Sequence, residues 1–268
     1  MNHQSSKFDL RNLRTIIVIG LFAALCYVAL DFFRIPIPSP VGKPFIHMGN
    51  MFVILAALLF NGVTGGLSGS IGMGLWDIIH GYADTCYVTF ILKFGIGFFT
   101  GLIASKGNKK EAKSPVLYLG IASAFFIILG IVFLVIATTI GNVFDVVMIN
   151  DSQKQLVISP LLYIFSLILG VCLLIACIMI KNISIKMQYA ILGAVSGIAF
   201  NVLGEFTFKV ITLTLAGSKF IPAVLASAAN LPATIINGAF SIIVALVLYA
   251  PLQKALNRSG LKLLLRVH

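Results

Sequence analysis

Apolar residues run in long, nearly unbroken stretches along this chain, separated by short polar segments. Such stretches are typical of membrane-crossing helices, because about 20 apolar residues in a helix match the hydrocarbon core of a bilayer. The pattern therefore predicts an all-α integral membrane protein, a multi-span helical bundle that forms a single membrane domain over residues 1–268. The eight spans expected from the pattern are 15–33, 47–61, 63–80, 87–105, 116–141, 157–180, 187–215 and 221–250.

Residues 47–80 require a decision between one helix and two. A single helix of 34 residues would be about 51 Å long, well beyond a hydrocarbon core of ~30 Å. The sequence Asn-Gly-Val-Thr-Gly-Gly at 61–66 lies near the middle of this region and is typical of a turn. We therefore predict two short, glycine-rich helices joined at Asn61.

Composition and charge support a membrane protein and exclude an ordinary soluble enzyme. Apolar residues make up 59% of the chain and charged residues 10%, whereas a soluble domain is about 25% charged. The net charge of +11 does not indicate nucleic-acid binding, because the basic residues cluster between the apolar stretches and act as topology signals. With the N-terminus inside, 13 Lys and Arg residues lie in cytoplasmic segments and 4 in outer ones. A seven-span arrangement with the N-terminus outside places 12 basic residues inside and 5 outside, so charge separates the two arrangements only weakly. The excessive length of a single 47–80 helix favours eight spans. We therefore expect both termini to be cytoplasmic.

The sequence lacks the motifs of the common catalytic and metal sites. It has no G-x-x-x-x-G-K-[ST] for ATP hydrolysis, no HExxH and no GxSxG. Its four cysteines have no metal-binding spacing, and Asp77 with His80 forms at most a weak metal site. We expect no enzymatic activity, no metal and no cofactor.

Polar side chains inside the apolar stretches are the candidate functional residues. A charge within a span costs about 2.5–3.5 kcal/mol on insertion scales, so each one needs a partner or a purpose. Glu205 and Lys209 stand i, i+4 and could pair on one helix face, and Asp77 could pair with Lys93 on the next helix. Alternatively, these groups line a pocket for a small polar, aromatic ligand. The residues expected in that pocket are His47, Asn50, Trp76, Asp77, His80, Tyr87, Lys93, Asn201, Glu205 and Asn230.

Two parts of the chain carry an ordered set of motifs. The first contains PFIHMGN, a glycine-rich segment that ends near Asp77 and Tyr82, and KFGIG from Lys93 onwards. The second contains GAVSGIAFNVLGEFTFK and then AANLPATIINGAFSIIVALVL. Together, over 12–106 and 187–252, they resemble the substrate-binding S component of energy-coupling-factor (ECF) vitamin transporters. The resemblance implies a six-helix core, with residues 114–182 as an inserted two-helix hairpin.

The same resemblance implies the function and the partners. An S component captures a small water-soluble vitamin or precursor outside the cell, in a bacterial cell membrane, and works with a transmembrane coupling subunit and two ATPases. The family's first-helix docking motif corresponds to Gly20, Ala23, Ala24 and Ala29.

The sequence allows more than one ligand and more than one class of transporter. Acidic Asp77 and Glu205 with Lys93 favour a pyridoxine-like or riboflavin-like ligand, and the proline-rich loop at 36–44 could roof the pocket. The alternative is a stand-alone ion-coupled transporter or channel in which the same charges relay ions, although no inverted repeat is visible between the halves.

Overall fold

The protein is described by a computed structural model that covers residues 13–36, 45–109, 111–139, 143–147, 153–157 and 160–258. Within these ranges the chain is mostly helical, with a short 3-10 turn at Ser105–Asn108 and two β-hairpins. The helices are α1 (Leu13–Phe32), α2 (Gly49–Leu59), α3 (Gly62–Ile79), α4 (Cys86–Ala104), α5 (Val116–Thr139), α6 (Pro160–Ile180), α7 (Ile185–Leu215), α8 (Phe220–Ala228) and α9 (Leu231–Arg258). The strands are β1 (Arg34–Pro36), β2 (Phe45–His47), β3 (Val143–Val147) and β4 (Gln153–Val157).

Five described helical segments are long and apolar enough to cross a membrane: α1, α4 with its 3-10 turn, α5, α7 and the α8–α9 segment. This confirms an all-α membrane protein. The helix α2 and the stretch Ser166–Ile180 of α6 are apolar but shorter. The count of eight spans therefore stays a prediction.

The turn expected at Asn61 is present, and local chemistry explains it. The Asn61 side chain accepts a hydrogen bond from the backbone N–H of Thr64 at 2.9 Å and so caps the start of α3. The two helices pack antiparallel, since Gly65 lies against Val53 and Ala57 while Gly49 lies against Met73. They approach closely, because a Cβ on Gly65 would overlap the α2 backbone.

Two features of the fold differ from the sequence expectation. The predicted last span, 221–250, is two helices, because Pro232 has no N–H to donate to the Ala228 carbonyl and the helical ladder is interrupted there. The predicted second span does not begin at His47, which lies in β2 and pairs antiparallel with Arg34 of β1. Strands of three residues are too short to give a periodic signal in the sequence.

Glycine residues bring α3, α4 and α7 into close contact. On the α3–α4 side, a Cβ on Gly97 would overlap the backbone of Gly66, and a Cβ on Gly101 would overlap that of Gly62. On the α4–α7 side, a Cβ on Gly193 would lie 2.5 Å from the Thr100 carbonyl oxygen. These small-xxx-small pairs let backbones approach closely, which is how membrane helices commonly pack.

The helices α5 and α6 pack chiefly against each other, and β3 pairs with β4 between them. The pair touches the rest of the bundle at a few places. Phe133 packs near Leu225 and Ala228 of α8, and Ser114, just before α5, donates a hydrogen bond to Gln188 Oε1 at 2.7 Å. The interpretation of residues 114–182 as an insertion beside a core stays a prediction.

Candidate ligand-binding site

A cavity of about 280 Å³ lies between α4 and α7. It is found at the end of the bundle that carries the β1–β2 hairpin and the turn between α3 and α4, here called the hairpin end. Successive turns of both helices contribute to its wall, because residues three and four apart share a helix face. The lining residues are Thr85, Val88, Thr89, Leu92, Lys93, Glu205, Phe208 and Lys209.

A hydrogen-bonded network forms the inner wall of this cavity. The buried Lys93 donates from Nζ to Asn201 Oδ1 at 2.9 Å, and Asn201 Nδ2 donates to Glu205 Oε1 at 2.9 Å. The second carboxylate oxygen of Glu205 accepts from Thr234 Oγ1 at 3.0 Å. Glu205 is 31% exposed whereas Lys93 is 9% exposed at the side chain. Both side chains line the cavity, and the Glu205 carboxylate is the more exposed of the two groups.

The ion pairs differ from those that the sequence suggested. Glu205 Oε1 lies 3.9 Å from Lys93 Nζ, so the pair crosses between α4 and α7 and is not the pair with Lys209 along α7. Asp77 is an electrostatic neighbour of Lys93, but its side chain interacts with the Thr89 hydroxyl. The close approach of α4 and α7 at their glycines brings the Lys93 and Glu205 side chains within reach.

Trp76 and His80 belong to a second group of side chains, the outer cluster, which is not part of the cavity lining. Asp31 Oδ1 accepts from Trp76 Nε1 at 3.1 Å and lies 3.2 Å from His80 Nε2. The Trp76 and His80 rings stack with centroids 4.1 Å apart, and the Arg34 guanidinium lies 5.1 Å from the centre of the Trp76 ring. The outer cluster thus ties α1, β1 and α3 together.

Asp31 and Arg34 are not among the residues that the sequence predicted for a site. Arg34 follows α1 directly, and Trp76 lies far along the chain, so no sequence spacing connects them. The signal that was available was the cost of leaving Asp31 unpaired at the end of an apolar helix.

His47 and Asn50 lie buried where the β1–β2 hairpin meets α2. The His47 backbone N–H donates to Asn237 Oδ1 at 3.0 Å, and His47 Nδ1 accepts from the Gly49 N–H at 3.1 Å. An accepting Nδ1 requires the neutral imidazole with its proton on Nε2. Asn50 is 2% exposed, and its Oδ1 has no hydrogen-bond partner within the residues that the structure describes.

Tyr87 and Asn230 are not among the residues that line the cavity. Tyr87 is exposed, and its ring packs edge-to-face on Phe208 with centroids 6.2 Å apart. Asn230 is buried at the break between α8 and α9. The expected roof from Pro36 to Pro44 falls mainly on residues 37–44, which lie outside the described residues.

The four residues matched to the docking motif divide between two faces of α1. Ala23 and Ala29 are buried, and a Cβ on Gly72 of α3 would overlap the Ala23 carbonyl. Gly20 and Ala24 are exposed and stand i, i+4 on the outer face of the helix.

Comparison with known proteins defines the class of this protein. The sequence model of the family "ECF-type riboflavin transporter, S component" matches residues 11–181, more than half of the chain. A Pyrococcus woesei protein named only "Uncharacterized protein in gap 3'region" is 30% identical over 105 residues, which cover 36% of this chain and 68% of that relative. No solved structure matches.

The chain therefore belongs to the family of ECF-type riboflavin transporter S components. It is a substrate-binding subunit of an ECF-type vitamin importer in a membrane, which favours this interpretation over a stand-alone ion-coupled carrier. The matched range includes residues 114–181 and ends before α7. The α7 wall of the cavity, with Asn201 and Glu205, is thus a feature of the structure that the family match does not cover.

Proposed function

We propose that the cavity between α4 and α7 is the site where this S component captures its vitamin substrate. The observation that carries the proposal is the Glu205 carboxylate, which faces the cavity and is held at both oxygens by Asn201 and Thr234. A carboxylate fixed in this way is preorganised to accept a hydrogen bond from a ligand hydroxyl or ring N–H. Thr85 and Thr89 add hydroxyl groups on the opposite wall.

The proposed ligand is a pyridoxine-like or riboflavin-like compound. The cavity volume of about 280 Å³ lies near the small end of the range for ligand sites, ~300–1,000 Å³, which favours a single ring. The name of the matching family favours the larger riboflavin. The two vitamins are therefore the first ligands to test against each other.

The proposed partners are a transmembrane coupling subunit and two ATPases. In this proposal the coupling subunit docks on the exposed face of α1, where Gly20 and Ala24 permit close helix approach. Ala23 and Ala29 stabilise the contact with α3 instead. The hairpin end would face the outside of the cell membrane, with both termini in the cytoplasm.

The decisive experiment is the Glu205→Gln variant, with affinity for riboflavin and pyridoxine and the melting temperature measured on the purified full chain. If the carboxylate binds ligand, affinity should fall by roughly 10- to 100-fold, as expected for a lost charged hydrogen bond of about 1.5–3 kcal/mol. Folding should be largely spared, because the glutamine carbonyl can accept from Asn201 while its amide donates to the Thr234 hydroxyl. Lys93 keeps its hydrogen bond to Asn201 and its electrostatic neighbour Asp77.

The matched control is Glu111→Gln, which makes the same chemical change at an exposed position in the segment between α4 and α5. It should change neither affinity nor melting temperature. Unchanged affinity in folded Glu205→Gln protein would remove Glu205 from the site.

A further inference from the structure

The charges that face the cavity do not balance one another. Three charged side chains line it, namely Lys93, Glu205 and Lys209. Lys93 and Glu205 form an ion pair at 3.9 Å, and Lys93 also donates to Asn201. Asp77, which lies close to α4, interacts with Thr89, Lys93 and His80. The pair in the wall is thus satisfied without Lys209.

Lys209 is the cation left over at this wall. Within the part of the chain that the structure describes, its ammonium group has no carboxylate oxygen within 4 Å and no hydrogen-bond partner. Its electrostatic neighbour is Glu205, one turn earlier on α7, whose two oxygens are already engaged by Asn201 and Thr234. The half-buried Lys209 therefore presents its charge to the cavity.

This arrangement discriminates between neutral and anionic ligands. A neutral ligand that fills the cavity strips water from the Lys209 ammonium and gives it no counter-charge, which is unfavourable. A ligand with an anionic oxygen group replaces that water with a charge-assisted hydrogen bond. The rest of the cavity, with Glu205 and two threonine hydroxyls, suits the polar ring of the same ligand.

We infer that Lys209 selects substrates that carry a negatively charged oxygen group, a carboxylate or a phosphate monoester, on the vitamin-like ring. The inference rests on the proposed capture site and adds the charge of its substrate. Lys209 is then a specificity-determining residue that contacts the ligand directly, whereas Lys93 positions Glu205 through their ion pair.

The test compares ligands that differ in one substituent. Affinities of the purified full chain are measured for pyridoxine, pyridoxine 5′-phosphate and 4-pyridoxate, and for riboflavin and riboflavin 5′-phosphate. The wild-type protein should bind an anionic member of a series at least 10-fold more tightly than its neutral parent. Lys209→Gln should abolish this preference: affinity for the anionic ligand should fall, and affinity for the neutral parent should rise, because no ammonium group is then stripped of water. Lys209→Arg should retain the preference.

The matched control is Lys219→Gln, because Lys219 is an exposed lysine just before α8 and does not line the cavity. It should leave the preference unchanged. Two outcomes would reject the role of Lys209 while leaving the capture site in place. They are an equal loss of affinity for neutral and anionic ligands in Lys209→Gln, and wild-type binding without a preference. If none of the five compounds binds the wild-type protein, the capture site for this ligand class is rejected, and this inference with it.

Discussion

The α3–α4–α7 group and the α5–α6 pair are both packed from apolar helices, but they use glycine differently. In the first, Gly97 faces the backbone of Gly66, so two helix axes approach closely. In the second, the nearest atom to an added Cβ belongs to a side chain, Leu167 at 2.8 Å for Gly130 and Ile127 at 2.5 Å for Gly170, with backbone nitrogens farther away at 3.1 and 2.9 Å. Buried charge occurs in the first group, at Lys93, whereas a buried polar contact of the second is the neutral bond from the Ser123 hydroxyl to the Gly170 carbonyl.

The difference shows what a polar site in a membrane needs from its scaffold. Lipid gives apolar helices no reason to associate, so close packing and polar contacts must hold them together. The network from Lys93 through Asn201 to Glu205 spans two helices with bonds of 2.9 Å, which requires backbones that approach closely. The α5–α6 pair carries no such network among its described residues and presents many exposed apolar side chains.

The largest effect that separates the two regions should come from Gly97→Ala. The added methyl group would overlap the α3 backbone, so α3 and α4 must move apart. We expect destabilisation of about 3 kcal/mol, at the upper end of overpacking effects, measured by reversible unfolding in detergent. Gly120→Ala in α5 is the control, because its methyl group meets only Cys177 Sγ at 3.9 Å. Similar losses in both variants would contradict the distinction.

A smaller effect is expected from Lys93→Met. It removes the ion-pair partner of Glu205, although the bonds from Asn201 and Thr234 and the partial exposure of the carboxylate compensate in part. We expect a loss of about 2 kcal/mol in unfolding free energy, below the 3–5 kcal/mol of a fully buried broken pair. The double variant Lys93→Met with Glu205→Gln should recover part of that loss. Additive losses would show that the two side chains are not coupled.

The smallest effect on ligand affinity should follow from replacing residues 114–182 with a short Gly/Ser linker. The cavity lining comes from α4 and α7, and none of it lies in α5 or α6. We expect affinity within about threefold of the full chain, measured by ligand titration, and a lower melting temperature because contacts such as Ser114 to Gln188 are lost. Complete loss of binding in a folded deletion variant would show that α5–α6 belongs to the core.

The sequence could predict the features that depend on local patterns. Apolar stretches located the long helices, and Asn61 with its glycines located the turn before α3. The rule that residues i and i+4 share a face also applies to Asn201 and Glu205, which are hydrogen-bonded in the structure.

The features that depend on distances between helices were beyond the sequence. The partner of Glu205 on α4 is fixed by how closely Gly193 and Gly197 let α7 approach, and no spacing rule for one helix contains that distance. The break before α9 could have been predicted, since Pro232 marks it. The outer cluster could not have been predicted, because Asp31 and Trp76 are 45 positions apart.

The short helix α2 affects how the membrane voltage acts on a charged ligand during transport. Its 11 residues extend about 16 Å, roughly half of a ~30 Å hydrocarbon core. The β1–β2 hairpin continues beyond it, and lipid could not solvate that backbone, so the His47 N–H is bound by Asn237. If the hairpin end opens to water, as proposed, the membrane voltage falls mainly across the remaining thickness. A voltage of 100 mV is worth about 2.3 kcal/mol for a full charge crossing. We therefore expect this voltage to affect capture of an anion little and its release into the cell strongly.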